Sequence, residues 1–396
     1  MTNYDFMIVG AGIVGLAIAT RLQEKNPQLK IAIVEKENGV AAHQSGHNSG
    51  VIHAGVYYEP GSPKARLCRA GLVQTIAFCR RHEIAFSQRG KLIVATNKRE
   101  ALRLDQLYAR AQRNGVKCHP LDQHGLAERE PNVNGIAALH VVETGIVDYA
   151  EICRKMVAVL SAGGAVFRLN SQVIKINEES SCARLETTTG AISGKRLIVC
   201  AGLQADRLAK LAGLSVDFAI IPFRGDFFRL SANRAGIVKH LIYPVPDPSL
   251  PFLGVHLTPT IDGGMTVGPS AMLALHREAY KKYAVSVSDL RDMAGYRGLW
   301  RLLMRYPQAG AREFVYTVSR RAYLGAVQKY CPALELSDLG DHQCGVRAQA
   351  VSPEGYLIHD FLIQRTARMT HVCNAPSPAA TASLPIADFV IDGLEM

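Results

Sequence analysis

The chain is predicted to adopt an α/β fold with a mostly parallel sheet, joined to a second, mostly antiparallel α+β domain. The first 35 residues alternate an apolar β-rich run, a helical pattern and a second apolar run, as a parallel βαβ unit requires. Further strand patterns recur between residues 218 and 267 without long helices between them, which favours antiparallel pairing. A length of 396 residues exceeds one ordinary domain. We therefore expect two domains.

The first βαβ unit carries a glycine loop between strand Tyr4–Val9 and helix Ile13–Gln23. Gly10 permits a tight turn, Gly12 lets the backbone approach a pyrophosphate, and Gly15 lets the helix pack closely on the strand. The helix N-terminus directs unpaired N–H groups and a positive dipole end toward the phosphates. This arrangement is typical of a Rossmann-like dinucleotide-binding domain.

The second strand, Ile31–Val34, ends in Glu35, twenty residues after Gly15. A carboxylate at this position accepts a hydrogen bond from a ribose hydroxyl and would repel a 2′-phosphate, so NADP is disfavoured. This βαβ unit is compatible with either FAD or NAD.

Three later segments favour FAD. A polar loop, His43–Tyr58, follows the second strand, and so long a loop is uncommon unless it serves a function. The apolar run 197–200 ends in Ala201-Gly202 and can bring backbone against the cofactor again. Residues 374–378 open a predicted helix, Ala379–Leu394, whose N-terminus suits the anionic edge of a reduced flavin. Besides the three glycines and Glu35, the expected cofactor contacts are Ser45, His47, Asn48, Ser49, Gly50, Val173, Ala201, Gly202, Ser377, Pro378 and Ala379.

Five strings, at 45–58, 222–225, 252–258, 345–350 and 374–381, resemble the D-amino-acid-oxidase-like (DAO) flavoproteins, and among them the L-2-hydroxyglutarate dehydrogenase/oxidase family. The resemblance runs nearly end to end. It implies an FAD-binding domain of the DAO/glutathione-reductase type and oxidation of L-2-hydroxyglutarate to 2-oxoglutarate, with a quinone or O2 as electron acceptor. Two positions depart from the pattern: His359 replaces an acidic residue, and Ser270 replaces an asparagine.

The FAD-binding domain is predicted to be discontinuous. Residues 1–86, 146–214 and 345–396 are assigned to it, and the insertions 87–145 and 215–344 to the substrate-binding domain. The second insertion contains the predicted strands Phe218–Leu230, His240–Val245, Phe252–Leu257 and Met265–Val267, and a helical stretch, Ser288–Arg305.

Arg347 is the expected anchor for the substrate carboxylate, because DAO-like enzymes place an arginine on this strand beside the flavin. A guanidinium fork binds a carboxylate through two parallel hydrogen bonds. Arg224 is a candidate for a distal carboxylate or for flavin support, and an interdomain ion pair is nearly as good an interpretation. Lys329 and Tyr58 are further candidates for contacting the substrate, although a solvated lysine is the commoner case at a position such as 329.

The catalytic base is expected to be a histidine, because neutral imidazole accepts a hydroxyl proton near neutral pH. His53 lies in the loop expected to pass the flavin, and His256 lies on a strand expected to face it. Either is a candidate base, and the other would then bind substrate.

Two alternatives remain open: a different DAO-like oxidase, acting on an amino acid or glycerol 3-phosphate, and a flavin-binding or nucleic-acid-binding protein without activity. A net charge of +11 fits anionic partners. We expect no nucleic acid, because the chain contains no RNP-like string, zinc-ligand spacing or strands that interleave basic and aromatic residues. No metal site is expected. Nine cysteines without a CxxC pair indicate buried thiols in a reducing cytoplasm.

The segment Leu290–Tyr306 suggests a peripheral membrane contact on the cytoplasmic face. Leu299, Leu302, Leu303 and Tyr306 follow helical spacing, Trp300 stands beside them, and four arginines lie nearby. Such a basic amphipathic helix binds interfaces. Packing of the same stripe on the substrate-binding domain is the commoner outcome.

Overall fold

The computed structural model describes residues 3–248 and 253–394. Their strands are β1 Asn3–Val9, β2 Ile31–Val34, β3 Val51–Ile52, β4 Phe86–Ser87, β5 Lys91–Ala95, β6 Cys118–Asp122, β7 Ala137–Val141, β8 Gly145–Val147, β9 Val166–Arg168, β10 Val173–Glu178, β11 Ala183–Thr187, β12 Gly190–Val199, β13 Ala219–Leu230, β14 Leu241–Pro244, β15 His256–Pro259, β16 Met265–Gly268, β17 Met272–Leu273, β18 Leu339–Val351, β19 Leu362–Arg365 and β20 Met369–Asn374. The helices are α1 Ile13–Lys25, α2 Pro63–Arg81, α3 Lys98–Arg113, α4 Gln123–Arg129, α5 Tyr149–Ala162, α6 Ala205–Leu211, α7 Val287–Ala294, α8 Arg297–Arg305, α9 Pro307–Val318, α10 Arg320–Gln328 and α11 Ser383–Asp392.

The first sheet confirms the predicted Rossmann-like unit. Its centre is parallel, in the order β9-β2-β1-β12-β20, and β10, β11 and β19 are added antiparallel. Residues 6–9 and Ile31–Val34 are buried because helices cover the sheet, as parallel strands require. One core cluster joins residues of β1 and β2 to helices α1, α2, α5 and α11.

The second sheet has nine strands and is mostly antiparallel, as predicted. Its main path runs β17-β13-β16-β15-β14-β5-β7-β6, and among the described residues only the β14–β5 pair is parallel. The long strand β18 pairs with β13 from Ala219↔Val351 to Leu230↔Leu339. β18 stays in this sheet six residues beyond position 345, where the FAD-binding domain was predicted to resume, and the domain boundaries themselves stay a prediction.

Three predicted elements differ from the structure. The helical stretch 288–305 is two helices, α7 and α8, which meet at Gly295 and Tyr296. The C-terminal helix begins at Ser383 rather than Ala379, because turns occupy the residues just after Pro376-Ser377-Pro378. The strand predicted from Phe252 begins at His256, and Phe252 itself lies outside the described residues.

The two sheets meet where the polar loop of the first touches β18 of the second. A Cβ added at Gly345 would collide with the carbonyl oxygen of His47, so a glycine is needed for this approach. The contact places the carboxyl ends of β1 and β12 beside the face of the second sheet. Ligands of open α/β sheets bind at this end of the strands.

Candidate active site

One cavity of about 1310 Å³ runs between the two sheets. Its wall includes most of the residues that the sequence singles out: Gly10, Gly12, Gly15, Glu35, Ser45, His47, Asn48, Ser49, His53, Tyr58, Val173, Ala201, Gly202, His256, Arg347, Ser377, Pro378 and Ala379. Gly50 is not on this wall, and its carbonyl accepts a hydrogen bond from the Val147 N–H at 2.8 Å. The cavity therefore joins the glycine loop to the histidines and Arg347.

The glycine loop forms one end of the cavity. Gly10 has a positive φ of 98°, and a side chain there would collide with the Cys200 carbonyl. The Ala11 N–H donates to Glu35 Oε2 at 2.8 Å, and the Ile13 N–H donates to Ser45 Oγ at 2.9 Å. Glu35 thus lies directly beside the loop, as the spacing predicted.

The polar loop is organised by its own side chains. Asn48 Nδ2 donates to the carbonyls of Gln44 and Ser45, and Asn48 Oδ1 accepts from the Gly50 N–H at 2.8 Å. His47 stacks on Tyr280, with ring centroids 3.7 Å apart. These contacts hold the loop against the cavity.

An ion-pair cluster joins the start of the polar loop to residues just after Glu35 and to Glu278. Glu37, His43 and Glu278 are near enough to one another to hold a metal ion. The Lys36 ammonium already contacts Glu37, and it lies 3.1 Å from both His43 Nε2 and Glu278 Oε2. Because this ammonium supplies the positive charge, we assign the cluster to an ion-pair network.

The loop carrying His53 is attached to the C-terminal segment through Thr381. The His53 N–H donates to Thr381 Oγ1 at 3.1 Å, and Thr381 Oγ1 lies 2.8 Å from the Tyr149 hydroxyl. Neither ring nitrogen of His53 makes a hydrogen bond to another described residue. Its imidazole is therefore available to a ligand.

His256 is buried, with 6% of its surface exposed, and stacks on Tyr243 with ring centroids 3.9 Å apart. Its Nδ1 lies 2.9 Å from Thr258 Oγ1, and within residues 3–248 and 253–394 its Nε2 makes no hydrogen bond. Burial and the positive charges of Arg347 and Lys91 lower the pKa of His256 well below its ordinary value. Burial, with the charges of Lys91 and Lys64, lowers the pKa of His53 to about 3. Both imidazoles are therefore neutral at neutral pH.

Arg347 lies on β18, opposite Phe223 of β13. Its Nη1 is 3.5 Å from the Ser270 carbonyl oxygen. Burial lowers the pKa of Arg347, and Glu313 partly opposes the shift. The guanidinium is therefore a desolvated cation beside a neutral histidine, a setting in which a carboxylate ligand is held strongly.

Comparison with known proteins identifies the family. The model of the family described as "FAD dependent oxidoreductase" (DAO) matches residues 5–392. L-2-hydroxyglutarate dehydrogenase from Escherichia coli (strain K12) is 46% identical over 393 residues, covering 99% of this chain and 93% of the relative. The mitochondrial L-2-hydroxyglutarate dehydrogenase of Homo sapiens is 38% identical, covering 100% and 89%. This chain belongs to the DAO family of FAD-dependent oxidoreductases, among the L-2-hydroxyglutarate dehydrogenases.

Solved structures agree on the fold. L-α-glycerophosphate oxidase from Mycoplasma pneumoniae with FAD bound has a TM-score of 0.82 at 22% identity, covering 100% of this chain and 96% of that one. Glycine oxidase from Geobacillus kaustophilus has a TM-score of 0.76 at 18% identity, covering 100% and 95%. At these identities the likeness establishes the fold of this DAO enzyme and nothing more about its chemistry.

The cofactor of this DAO enzyme is FAD, and the residues present fit it. A Cβ added at Gly12 would meet only the Ser45 hydroxyl within 4 Å, so the space above Gly12 is open for a pyrophosphate. Glu35 lines the same end of the cavity. Val173, Gly202 and the two histidines line the same cavity, so one extended cofactor can span it.

The structure does not bring Arg224 and Lys329 into the site. Arg224 is buried outside the cavity wall and forms a two-point ion pair with Asp226, with Nε–Oδ1 at 2.9 Å and Nη2–Oδ2 at 3.2 Å. Lys329 follows α10 on the exposed surface. Two residues depart from the sequence pattern of the family, His359 and Ser270. His359 lies on the cavity wall, and Ser270 Oγ accepts a hydrogen bond from the Asp226 N–H at 3.0 Å.

Three residues near the histidines escaped the sequence reasoning: Tyr57, Lys91 and Tyr243. The aromatic rings line the cavity, and Lys91 lies behind them. A signal existed for Lys91, since it opens the otherwise wholly apolar run Leu92–Ala95. A lysine in a strand buried on both faces is rare without a specific role.

Proposed function

We propose that this protein oxidises L-2-hydroxyglutarate to 2-oxoglutarate. The observation that carries the proposal is the pairing of a desolvated guanidinium, Arg347, with neutral imidazoles in the cavity that fits FAD. The relatives named L-2-hydroxyglutarate dehydrogenase support the choice of substrate.

Each protein group has a defined task in this reaction. Arg347 holds the carboxylate next to the hydroxyl-bearing carbon and so orients the substrate. His53 or His256 accepts the hydroxyl proton, because both are neutral. The flavin, when bound, supplies the acceptor for the hydride. The burial of His256 and Tyr243 keeps bulk water away from the reacting groups.

Anaerobic flavin bleaching tests the reaction. L-2-hydroxyglutarate should bleach the holoenzyme, and the product should be 2-oxoglutarate, whereas D-2-hydroxyglutarate, amino acids and glycerol 3-phosphate should leave the flavin oxidised. Each alternative substrate would need a differently built site. Bleaching by an amino acid or by glycerol 3-phosphate, with none by L-2-hydroxyglutarate, would assign the protein to a different DAO activity.

We further propose that the electrons pass to a quinone at the cytoplasmic face of the cell membrane. Among the described residues, no helix is long and apolar enough to cross a membrane. α8 packs Leu299 and Leu302 into the core, so these two do not form the lipid-facing stripe that the sequence suggested. Its outer side exposes Trp300 (53%) and Met304 (72%), with Arg301 and Arg305 beside them. Apolar and basic side chains together suit an anionic interface.

Liposome flotation tests the membrane contact. The holoenzyme should float with anionic vesicles at low salt and less at high salt, because the arginine contribution is screened. A Trp300→Ala, Arg301→Glu double variant should stay at the bottom while oxidising substrate normally with a soluble dye. Wild-type protein that does not float at low salt would contradict the proposal.

A further inference from the structure

Lys91 is a buried lysine next to the candidate site. It begins β5, between Leu241 of β14 and Val141 of β7, and only 1% of its surface is exposed. Its Nζ lies 4.5 Å from the ring centroid of Tyr57 and 4.8 Å from that of Tyr243, and both rings line the cavity. The ammonium thus sits directly behind the cavity wall.

Lys91 has no acidic partner within the ranges 3–248 and 253–394: its Nζ makes no hydrogen bond and no ion pair there. Burial lowers the pKa of Lys91 to about 7, since the charged form loses its hydration. Three basic residues of the wall form ion pairs with carboxylates: Lys36 with Glu37 and Glu278, Arg103 with Asp247, and Arg207 with Asp289 and Asp292. A fourth, Lys64, donates to the His359 carbonyl at 3.0 Å. Among the described residues, Lys91 therefore lacks the carboxylate partner that those three residues have.

Tyr57, whose ring contacts Lys91, has a hydroxyl without a hydrogen-bond partner among the described residues. Its hydroxyl is buried, and no residue that the structure describes accepts from it or donates to it. A buried hydroxyl without a partner is costly and needs a reason. A ligand oxygen in the cavity would satisfy it.

The histidines show that this corner adjoins the reacting end of the cavity. The charge of Lys91 contributes to the lowered pKa values of both His53 and His256. Arg347, which lines the cavity, lowers the pKa of His256 as well. A dianion in the cavity can therefore contact Arg347 directly and also be stabilised by Lys91 from behind the wall, because its negative charge keeps the ammonium protonated.

We propose that Tyr57 and Lys91 form the subsite for the distal carboxylate of a dicarboxylate substrate, with Arg347 holding the other carboxylate. The inference rests on the proposed function and specifies its substrate class. Tyr57 donates a hydrogen bond to the carboxylate. The Lys91 ammonium, behind the rings of Tyr57 and Tyr243, stabilises its negative charge electrostatically. A monocarboxylate of the same length leaves both groups unpaired, so the subsite selects against it.

Binding of unreactive analogues to the oxidised holoenzyme tests the subsite, with the flavin absorption spectrum as readout. The probes are glutarate and pentanoate, which have the same chain length and differ in one carboxylate. Wild-type protein should bind glutarate more tightly. Lys91→Met should weaken glutarate binding by about 30-fold or more and Tyr57→Phe by about 10-fold, with the Kd of pentanoate changed less than about twofold.

Lys117→Met, at an exposed lysine of the same domain, is the matched control and should leave both Kd values unchanged. The FAD content of each variant reports whether it is folded. If Lys91→Met does not fold, Tyr57→Phe still tests the subsite, because it removes a single oxygen atom. Equal weakening of both analogues, or an unchanged preference for glutarate in both variants, would overturn the subsite. A wild-type enzyme that prefers glutarate yet is not bleached by L-2-hydroxyglutarate would overturn the proposed reaction and support the subsite.

Discussion

Replacing Arg347 by lysine should reduce kcat/KM for L-2-hydroxyglutarate by about 30- to 1,000-fold, equivalent to about 2–4 kcal/mol. Lysine keeps a positive charge but loses the planar fork, so it cannot form two parallel hydrogen bonds to the carboxylate. The effect should be large because Arg347 is desolvated: burial already lowers its pKa. Steady-state kinetics with a soluble dye measure it.

Arg224→Lys is the matched control for this experiment. Arg224 is buried on the strand that pairs with β18, but its guanidinium is bound to Asp226 outside the cavity wall. We expect this variant to lower the free energy of unfolding and leave KM near the wild-type value. If Arg347→Lys retains wild-type kinetics with full FAD content, or if Arg224→Lys alone raises KM, Arg347 is not the anchor.

The features whose positions the structure shares with the prediction depend on local spacing. The glycine loop, helix α1 and Glu35 fall within 35 consecutive residues, and their positions follow from the turn and helix that those residues form. Such features require no knowledge of which distant strands pair.

What was missed depends on contacts between distant elements. Tyr57, Lys91 and Tyr243 come from a loop and two strands. The pairing of β5 with β14 places Lys91 near Tyr243, and the packing of the loop on β5 adds Tyr57. Arg224 and Arg347 both lie in the strand pair β13–β18. Asp226, two residues after Arg224, neutralises Arg224 and holds its guanidinium away from the cavity. No periodicity in the sequence distinguishes Arg224 from Arg347 in advance.

The gap between α7 and α8 has the same origin. The apolar pattern over 290–306 is continuous enough for one helix, yet Gly295 ends α7, and Trp300 Nε1 donates to the Ala294 carbonyl at 2.8 Å. This bond turns Trp300 back over the helix end. Leu299 and Leu302, which belong to the predicted apolar stripe, pack in the core. The exposed apolar surface is therefore smaller than the sequence indicates.

Removing the catalytic imidazole should reduce kcat by about 10²- to 10⁴-fold while FAD stays bound. One of the variants His53→Ala and His256→Ala should show this loss. The other should mainly raise KM, because its imidazole binds substrate. Single-turnover flavin reduction under anaerobic conditions separates the two effects, since it measures the chemical step without the electron acceptor.

The pH profile of the wild-type enzyme provides an independent test. A base must be neutral to act, and it is lost as pH falls through its pKa. The pKa of His53 is lowered to about 3 and that of His256 lies well below its ordinary value, because burial and nearby positive charges disfavour the imidazolium. The limiting rate of flavin reduction at saturating substrate should therefore stay level as pH falls from 8 to about 6, where a solvated histidine would already be losing activity. The Kd of the substrate should fall over the same range, because Lys91, with its pKa lowered to about 7, becomes protonated.

His371→Ala is the matched control, because His371 is also buried, has a pKa lowered to about 4 by burial, and does not line the cavity. It should cost stability and leave the rate of flavin reduction unchanged. Two nearly active variants at positions 53 and 256 would show that neither histidine removes the hydroxyl proton. A wild-type rate that halves near pH 6.5, with the inflection abolished in one histidine variant, would show that the base is solvated in the complex and that burial does not set its pKa.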